Sequence, residues 1–394
     1  MRQIVVALAV VAVLLGVRNS QPVTAACTPL WDTQAGNPGL NSAIFKLFVF
    51  DDGTGRQIYA AGGFTTAGGA PAVGIARWNG RRWSAVGDGL GPSNGGVWGM
   101  ASFDDGRGAA LYAGGDFIFS GSTRVDHIAR WDGQAWQPVG EGTNASVLGA
   151  MTVFDDGSGP ALYVGGDFTT AGGVPARGVA RWDGRTWSEV GGGFGGTIVS
   201  VRAFAIFDDG SGPALYAGGL LSTAGGTPAS CIAKWDGQRW SSVGGGTNGL
   251  IRTLAVVDLG SGPALYAGGG FTEAGGSPAS RIAKWDGSEW TSLGDGASAT
   301  VRSIVGFTEW GAPQLYAGGD FRAAGGKTVN GVARWDGREW HALSAGMNSS
   351  VAALAVYGTG NALSLYAGGF FTLVDGRTAY RIARWQPCGP VPRS

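Results

Sequence analysis

A pattern of about 50 residues recurs seven times along this 394-residue chain, and it restricts the possible folds more than any other feature. Tyrosines standing shortly before a Gly-Gly pair fall at Tyr59, Tyr112, Tyr163, Tyr216, Tyr266, Tyr316 and Tyr366, separated by 53, 51, 53, 50, 50 and 50 residues. A second anchor, a tryptophan preceded by Arg or Lys, gives the same count at Trp78, Trp131, Trp182, Trp235, Trp285, Trp335 and Trp385. Self-similarity at this period marks an array of supersecondary units, none of which can bury its apolar face alone. Without the period, 75 glycines and 16 prolines would suggest disorder; with it they read as turns and close contacts.

The unit from Val201 to Gly246 parses into four short apolar runs divided by turn residues, at Val201–Phe207, Ala214–Gly219, Cys231–Trp235 and Arg239–Val243. This predicts an all-β, seven-bladed β-propeller with four antiparallel strands per blade. Asn79-Gly80, Asp132-Gly133, Asp183-Gly184, Asp236-Gly237, Asp286-Gly287 and Asp336-Gly337 separate the third and fourth runs and read as type I′ hairpins with both residues at φ > 0.

The seventh unit stops at Trp385-Gln386-Pro387-Cys388 with no fourth run, whereas Trp31, in Cys27-Thr28-Pro29-Leu30-Trp31, stands 52 residues before Trp83. The N-terminal strand is therefore expected to complete the last blade and close the ring, removing the edges of an open array. Cys27 and Cys388 are expected to form a disulfide across that seam, contributing at most roughly 5 kcal/mol. Cys231 is expected to be a small buried thiol in a third strand.

Residues 1–26 carry Arg2, an apolar stretch from Ile4 to Val17 and the small-residue end Val23-Thr24-Ala25-Ala26, the layout of a cleaved secretory signal peptide. The apolar stretch is shorter than the roughly 20 residues a membrane helix needs. Acylation of Cys27, with Thr24 to Cys27 as a loose lipobox, is the alternative. Residues 27–394 then form one exported propeller domain, extracellular or in the cell envelope, monomeric and without a membrane span. The chain has 28 basic and 28 acidic residues; loss of Arg2 and Arg18 leaves a net charge of −2, so no nucleic-acid partner is implied.

The order Tyr163 to Gly166, Trp182-Asp183 and Trp187 resembles the kelch motif, with Trp-Asp in place of Tyr-Asp. The stretch from Leu162 to Gly193 is similar to the repeats of Rax2-type cell-surface propellers. The resemblance covers all seven units and implies a propeller; kelch-like propellers include partner-binding modules, cell-surface proteins and the copper enzyme galactose oxidase.

Most recurring residues need only a structural role. Gly-Gly permits close approach in the second strand, Trp fills the wide outer part of each wedge, and the cation row Arg77, Arg130, Arg181, Lys234, Lys284, Arg334 and Arg384 stacks on Trp or pairs with Asp. The turns Asp51-Asp52, Asp104-Asp105, Asp155-Asp156 and Asp208-Asp209 are solvated hairpins or, as the weaker alternative, calcium ligands; they degrade to Asp258-Leu259, Glu309-Trp310 and Gly358-Thr359. The Asp-Gly-x-x-Trp turns lack the residue that a sialidase Asp-box places between Asp and Gly. A phosphate loop is missing, and His127 and His341 are too few for a copper site like that of galactose oxidase.

Sevenfold symmetry breaks fourteen residues before each tyrosine, at Phe45, Trp98, Gly149, Arg202, Arg252, Arg302 and Ala352. Three arginines on consecutive blades, with Phe45 and Trp98 on others, are the candidate ligand site: arginine forks hold carboxylates and aromatics support a flat face. The expectation is a non-enzymatic binding or scaffold propeller for an extracellular protein or glycan, needing no metal or cofactor. The alternative is an enzyme acting on an anionic or carbohydrate substrate at the channel mouth.

Overall fold

The computed structural model describes residues 29–91, 95–309, 311–358 and 363–387. The signal segment 1–26, Cys27, Cys388, Trp310, Thr359 and Gly360 lie outside them. The described residues are all-β, with a single 3-10 turn at Gln34–Gly36, and form seven four-stranded antiparallel sheets. The unit parsed above contains Ser200–Asp208, Pro213–Leu220, Ile232–Trp235 and Trp240–Ser242, paired in that order. The first strands of successive sheets pack side by side, and Ile44–Asp51 lies against Val351–Tyr357 of the last sheet. This is a β-propeller. The sheet that ends the chain takes Leu30–Asp32 as its fourth strand, antiparallel to Ile382–Gln386, with Trp31 opposite Trp385 as Trp83 is opposite Trp78.

Tryptophan joins each sheet to its neighbour. Third- and fourth-strand tryptophans pair with ring centroids 5.1–5.4 Å apart and planes tilted 44–55°. Each fourth-strand indole donates its N–H to a carbonyl of the preceding sheet's outer edge at 2.8–3.1 Å: Trp83 to Ala35, Trp136 to Val86, Trp187 to Val139, Trp240 to Val190, Trp290 to Val243, Trp340 to Leu293 and Trp31 to Leu343. An aromatic body packs between wedges while its one polar atom is satisfied across the gap.

The two glycines of the second strand do different work. A Cβ on Gly218 would meet Ile251 Cγ2 of the next sheet at 2.6 Å, whereas one on Gly219 would meet the Ser200 carbonyl oxygen of its own first strand at 2.1 Å. In the first sheet Ala61 occupies the former place and Gly62 the latter.

Two local expectations are corrected. Only the glycine of each Asp-Gly turn has positive φ, so these are not type I′ pairs. Trp235 opposes Trp240, leaving a four-residue loop, and the Asp236 carboxylate accepts the Gln238 and Arg239 N–H groups at 2.9 and 2.8 Å. The aspartate thus acts through its side chain and need not adopt a left-handed backbone. Cys231 lies just before its strand, at φ +63°, and is half-buried because the chain is still turning there; burial raises its thiol pKa. No helix among the described residues is long and apolar enough to cross a membrane.

Candidate functional site

The symmetry-breaking positions are brought together by β-bulges. The register of the first two strands slips between Ile44 and Lys46, Val97 and Gly99, Val147 and Ala150, Val201 and Ala203, Ile251 and Thr253, Val301 and Ser303, and Val351 and Ala353. The extra residues are therefore Phe45, Trp98, Leu148 with Gly149, Arg202, Arg252, Arg302 and Ala352. A residue excluded from the ladder is free to be re-aimed, and here all of these side chains and Gly149 line one cavity of about 350 Å³ at the convergence of the first strands.

The cavity has two unlike walls. On one side the rings of Phe45 and Trp98 are stacked, with centroids 4.1 Å apart and planes 5° from parallel, and Phe370 leans on Phe45 at 5.9 Å. Among the described residues, the buried Trp98 indole N–H has no hydrogen-bond partner. On the other side, Arg302 Nε is 2.7 Å from Asp320 Oδ1 and its guanidinium stands 5.9 Å from the Phe370 ring centre. Arg202 Nε donates to Ser200 Oγ at 2.9 Å. Lys46, next to the first bulge, also lines the cavity.

Charge is poorly balanced here. Among the described residues, Arg202, Arg252 and Lys46 have no carboxylate within ion-pair distance, and Asp320 is already engaged by Arg302 and by the Ser350 hydroxyl. Burial lowers the pKa of Arg252, and the charges of Arg302 and Arg202 lower it further against an opposing pull from Asp320. Burial likewise lowers Arg202, with Asp167 opposing and Arg302 reinforcing. Burial lowers the pKa of Lys46 as well. Like charges held together at an enclosed site create a positive potential that a bound anion would relieve.

All five residues singled out from sequence, Phe45, Trp98, Arg202, Arg252 and Arg302, share this cavity. Sequence reasoning missed Lys46, Asp320 and Phe370. A second variable position, directly after each Gly-Gly pair or its equivalent, reads Gly63, Asp116, Asp167, Leu220, Gly270, Asp320 and Phe370, and would have supplied the latter two. Lys46 had no such signal, because Thr253 and Ser303 occupy the same register place.

The paired acidic turns lie elsewhere and are occupied by protein groups. Asp51, Asp104, Asp155 and Asp208 each accept two glycine N–H groups of their own turn. Asp52, Asp105, Asp156 and Asp209 accept tyrosine hydroxyls from Tyr59, Tyr112, Tyr163 and Tyr216 at 2.6–2.9 Å, and pair with Arg77, Arg130, Arg181 and Lys234. A donor set already facing a cation and a phenol does not fit calcium, and six of the seven cations of the row pair with a carboxylate; among the described residues Lys284 has none within ion-pair distance. Buried Glu309 takes this role for Tyr316 and Arg334, and Asp32 of the N-terminal strand takes it for Arg384. His341 Nε2 lies 2.7 Å from Asp336 Oδ2 on the surface, beside a Glu339 held by Lys327, and His127 lies away from the cavity at φ +69°.

Fold and site together define a β-propeller with a cationic and aromatic cavity where its inner strands meet. No family model matches the sequence, and no curated protein matches it. Among solved structures, the chain is similar to Raptor of Chaetomium thermophilum, at 14% identity and a TM-score of 0.47, over 93% of this chain and 30% of that one. It is also similar to BBS1N, solved in complex with ARL6DN, at 10% identity and a TM-score of 0.44, over 92% of this chain and 97% of that one. This chain thus spans less than a third of the length of the Raptor chain.

Proposed function

We propose that the chain is an exported binding propeller, kelch-like in its repeats, whose seven sheets close into one ring and whose central cavity takes an anionic ligand. The observation that carries this reading is Arg252: a guanidinium on an inner strand, flanked by Arg202 and Arg302 and, among the described residues, given no carboxylate of its own. A protein has little reason to gather uncompensated cations in a cavity unless something negative enters it. The volume of about 350 Å³ suits a small ligand or the tip of a larger one, at the lower end of the roughly 300–1,000 Å³ typical of ligand pockets. The cavity wall offers no histidine, cysteine or tyrosine among the described residues, so it is read as a recognition site. Delivery to the cell exterior rests on residues 1–26.

Calorimetric titration of small carboxylates and of a glycan panel against wild type and Arg252→Ala tests the reading. Anion affinity should fall at least tenfold in the variant, about 1.4 kcal/mol. Identical binding profiles for the two proteins would remove the site.

A further inference from the structure

Resting on the anion-binding reading, we propose that the ligand is a carboxylated sugar, a uronate-type pyranose whose ring lies on the Phe45–Trp98 wall while its carboxylate is taken by Arg202 and Arg252. Three features of the cavity select this class. The spare positive charge belongs to Arg202 and Arg252, because Arg302 already holds Asp320; two planar forks match a planar carboxylate better than a point charge would. The opposite wall is apolar, lined by Phe45 and Trp98, which stack on each other. It offers nothing to a bare inorganic anion, but it supports the C–H face of a sugar ring. Next to Arg252 and Arg302 stand Thr253 and Ser303, which also line the cavity and bring hydroxyls. Ser303 Oγ accepts the Leu354 N–H at 3.0 Å and keeps its own proton to donate. A polyhydroxylated ring uses these groups; a purely aromatic acid leaves them unpaired.

A neutral sugar would leave the guanidiniums uncompensated, so the carboxylate is an essential part of the ligand. Bulge geometry carries the discrimination, since the aromatic and cationic residues are extra residues on different sheets aimed at one space.

The test is calorimetry with glucuronate, glucose, acetate and benzoate against wild type, Arg252→Ala, Trp98→Ala and Phe45→Leu, each variant first shown by its thermal melt to be folded. Wild type should bind glucuronate at least tenfold more tightly than acetate, glucose or benzoate. Arg252→Ala should weaken glucuronate and acetate alike. Trp98→Ala and Phe45→Leu should bring glucuronate down to the level of acetate without changing acetate, and either variant suffices if the other does not fold. Acetate binding as tightly as glucuronate, or benzoate binding more tightly, would overturn the sugar assignment and leave the anion site standing. No binding by any of the four probes would overturn both.

Discussion

At the residue scale, the turns between first and second strands are held by carboxylates whose ionised form is the folded form. Burial raises the Asp105 pKa, but the bond from Arg107, the Tyr112 hydroxyl and the charge of Arg130 outweigh it and hold the carboxyl at about 2, against an ordinary 3.8. Asp52, Asp156 and Asp209 are lowered by similar partners against the same opposing burial. A depressed carboxylate pKa contributes stability above its unfolded value and loses it as pH falls through the folded one. Stability should therefore drop between about pH 4 and pH 2, in several sheets at once. Asp105→Asn should cost about 2–4 kcal/mol at pH 7, because it leaves the buried Arg130 guanidinium without its anion. The gap from wild type should close as pH approaches 2; denaturant melts across that range check it, and a constant gap would show that the carboxylate charge is not responsible. These roles were partly legible: pairing with Asp was one of the two roles expected of the cation row, whereas the Asp-Asp turns read as solvated hairpins. That Asp209 meets Tyr216 and Lys234 was not, because the partners lie 7 and 25 residues away and meet only once the strands pair.

At the scale of a single sheet, the glycine pair and the bulge are one device. The Ser200 carbonyl presses on the Cα of Gly219, and the chain beyond it slips register to present Arg202. Gly219→Ala places a Cβ against backbone that cannot rotate away, so it should cost about 1–3 kcal/mol. It should also weaken anion binding, since Arg202 is steadied by the Ser200 hydroxyl. Gly218→Ala presses instead on the Ile251 side chain, and Ala61 already fills that place in the first sheet. Its cost should be smaller and anion affinity unchanged. Equal melting temperatures and affinities for the two variants would dissociate the bulge from the glycine. The Gly-Gly pairs were visible in sequence as a demand for close approach, but which atom approaches which glycine was not. The type I′ expectation failed because an aspartate before glycine has a second option, a carboxylate that caps its own loop.

At the scale of the whole molecule, Trp31 stands to Trp385 and Leu343 as Trp340 stands to Trp335 and Leu293. If the ring closes as proposed, the seam is as strong as any other junction, and Trp31→Ala and Trp340→Ala should each cost about 3–5 kcal/mol. Chemical denaturation compares them directly; a Trp31 variant as stable as wild type would show that the N-terminal strand is dispensable. A chain starting at Gln34 should also self-associate, because Ile382–Gln386 would become an open edge.

The period, the four strands per unit, the displaced Trp31 and the seven odd positions before each tyrosine could all be read from the sequence alone, because each depends on residues near one another in the chain or on a repeat that announces itself. Tertiary structure decided the rest. The bulges turn seven scattered positions toward one cavity, Lys46 joins them with no signal in the repeat, Asp320 and Phe370 come from a second variable position of it, and among the described residues Arg252 is left without an acid. The physical reason is distance along the chain: charge balance in the cavity is a sum over several sheets, each about 50 residues from the next, and no stretch of sequence contains that sum.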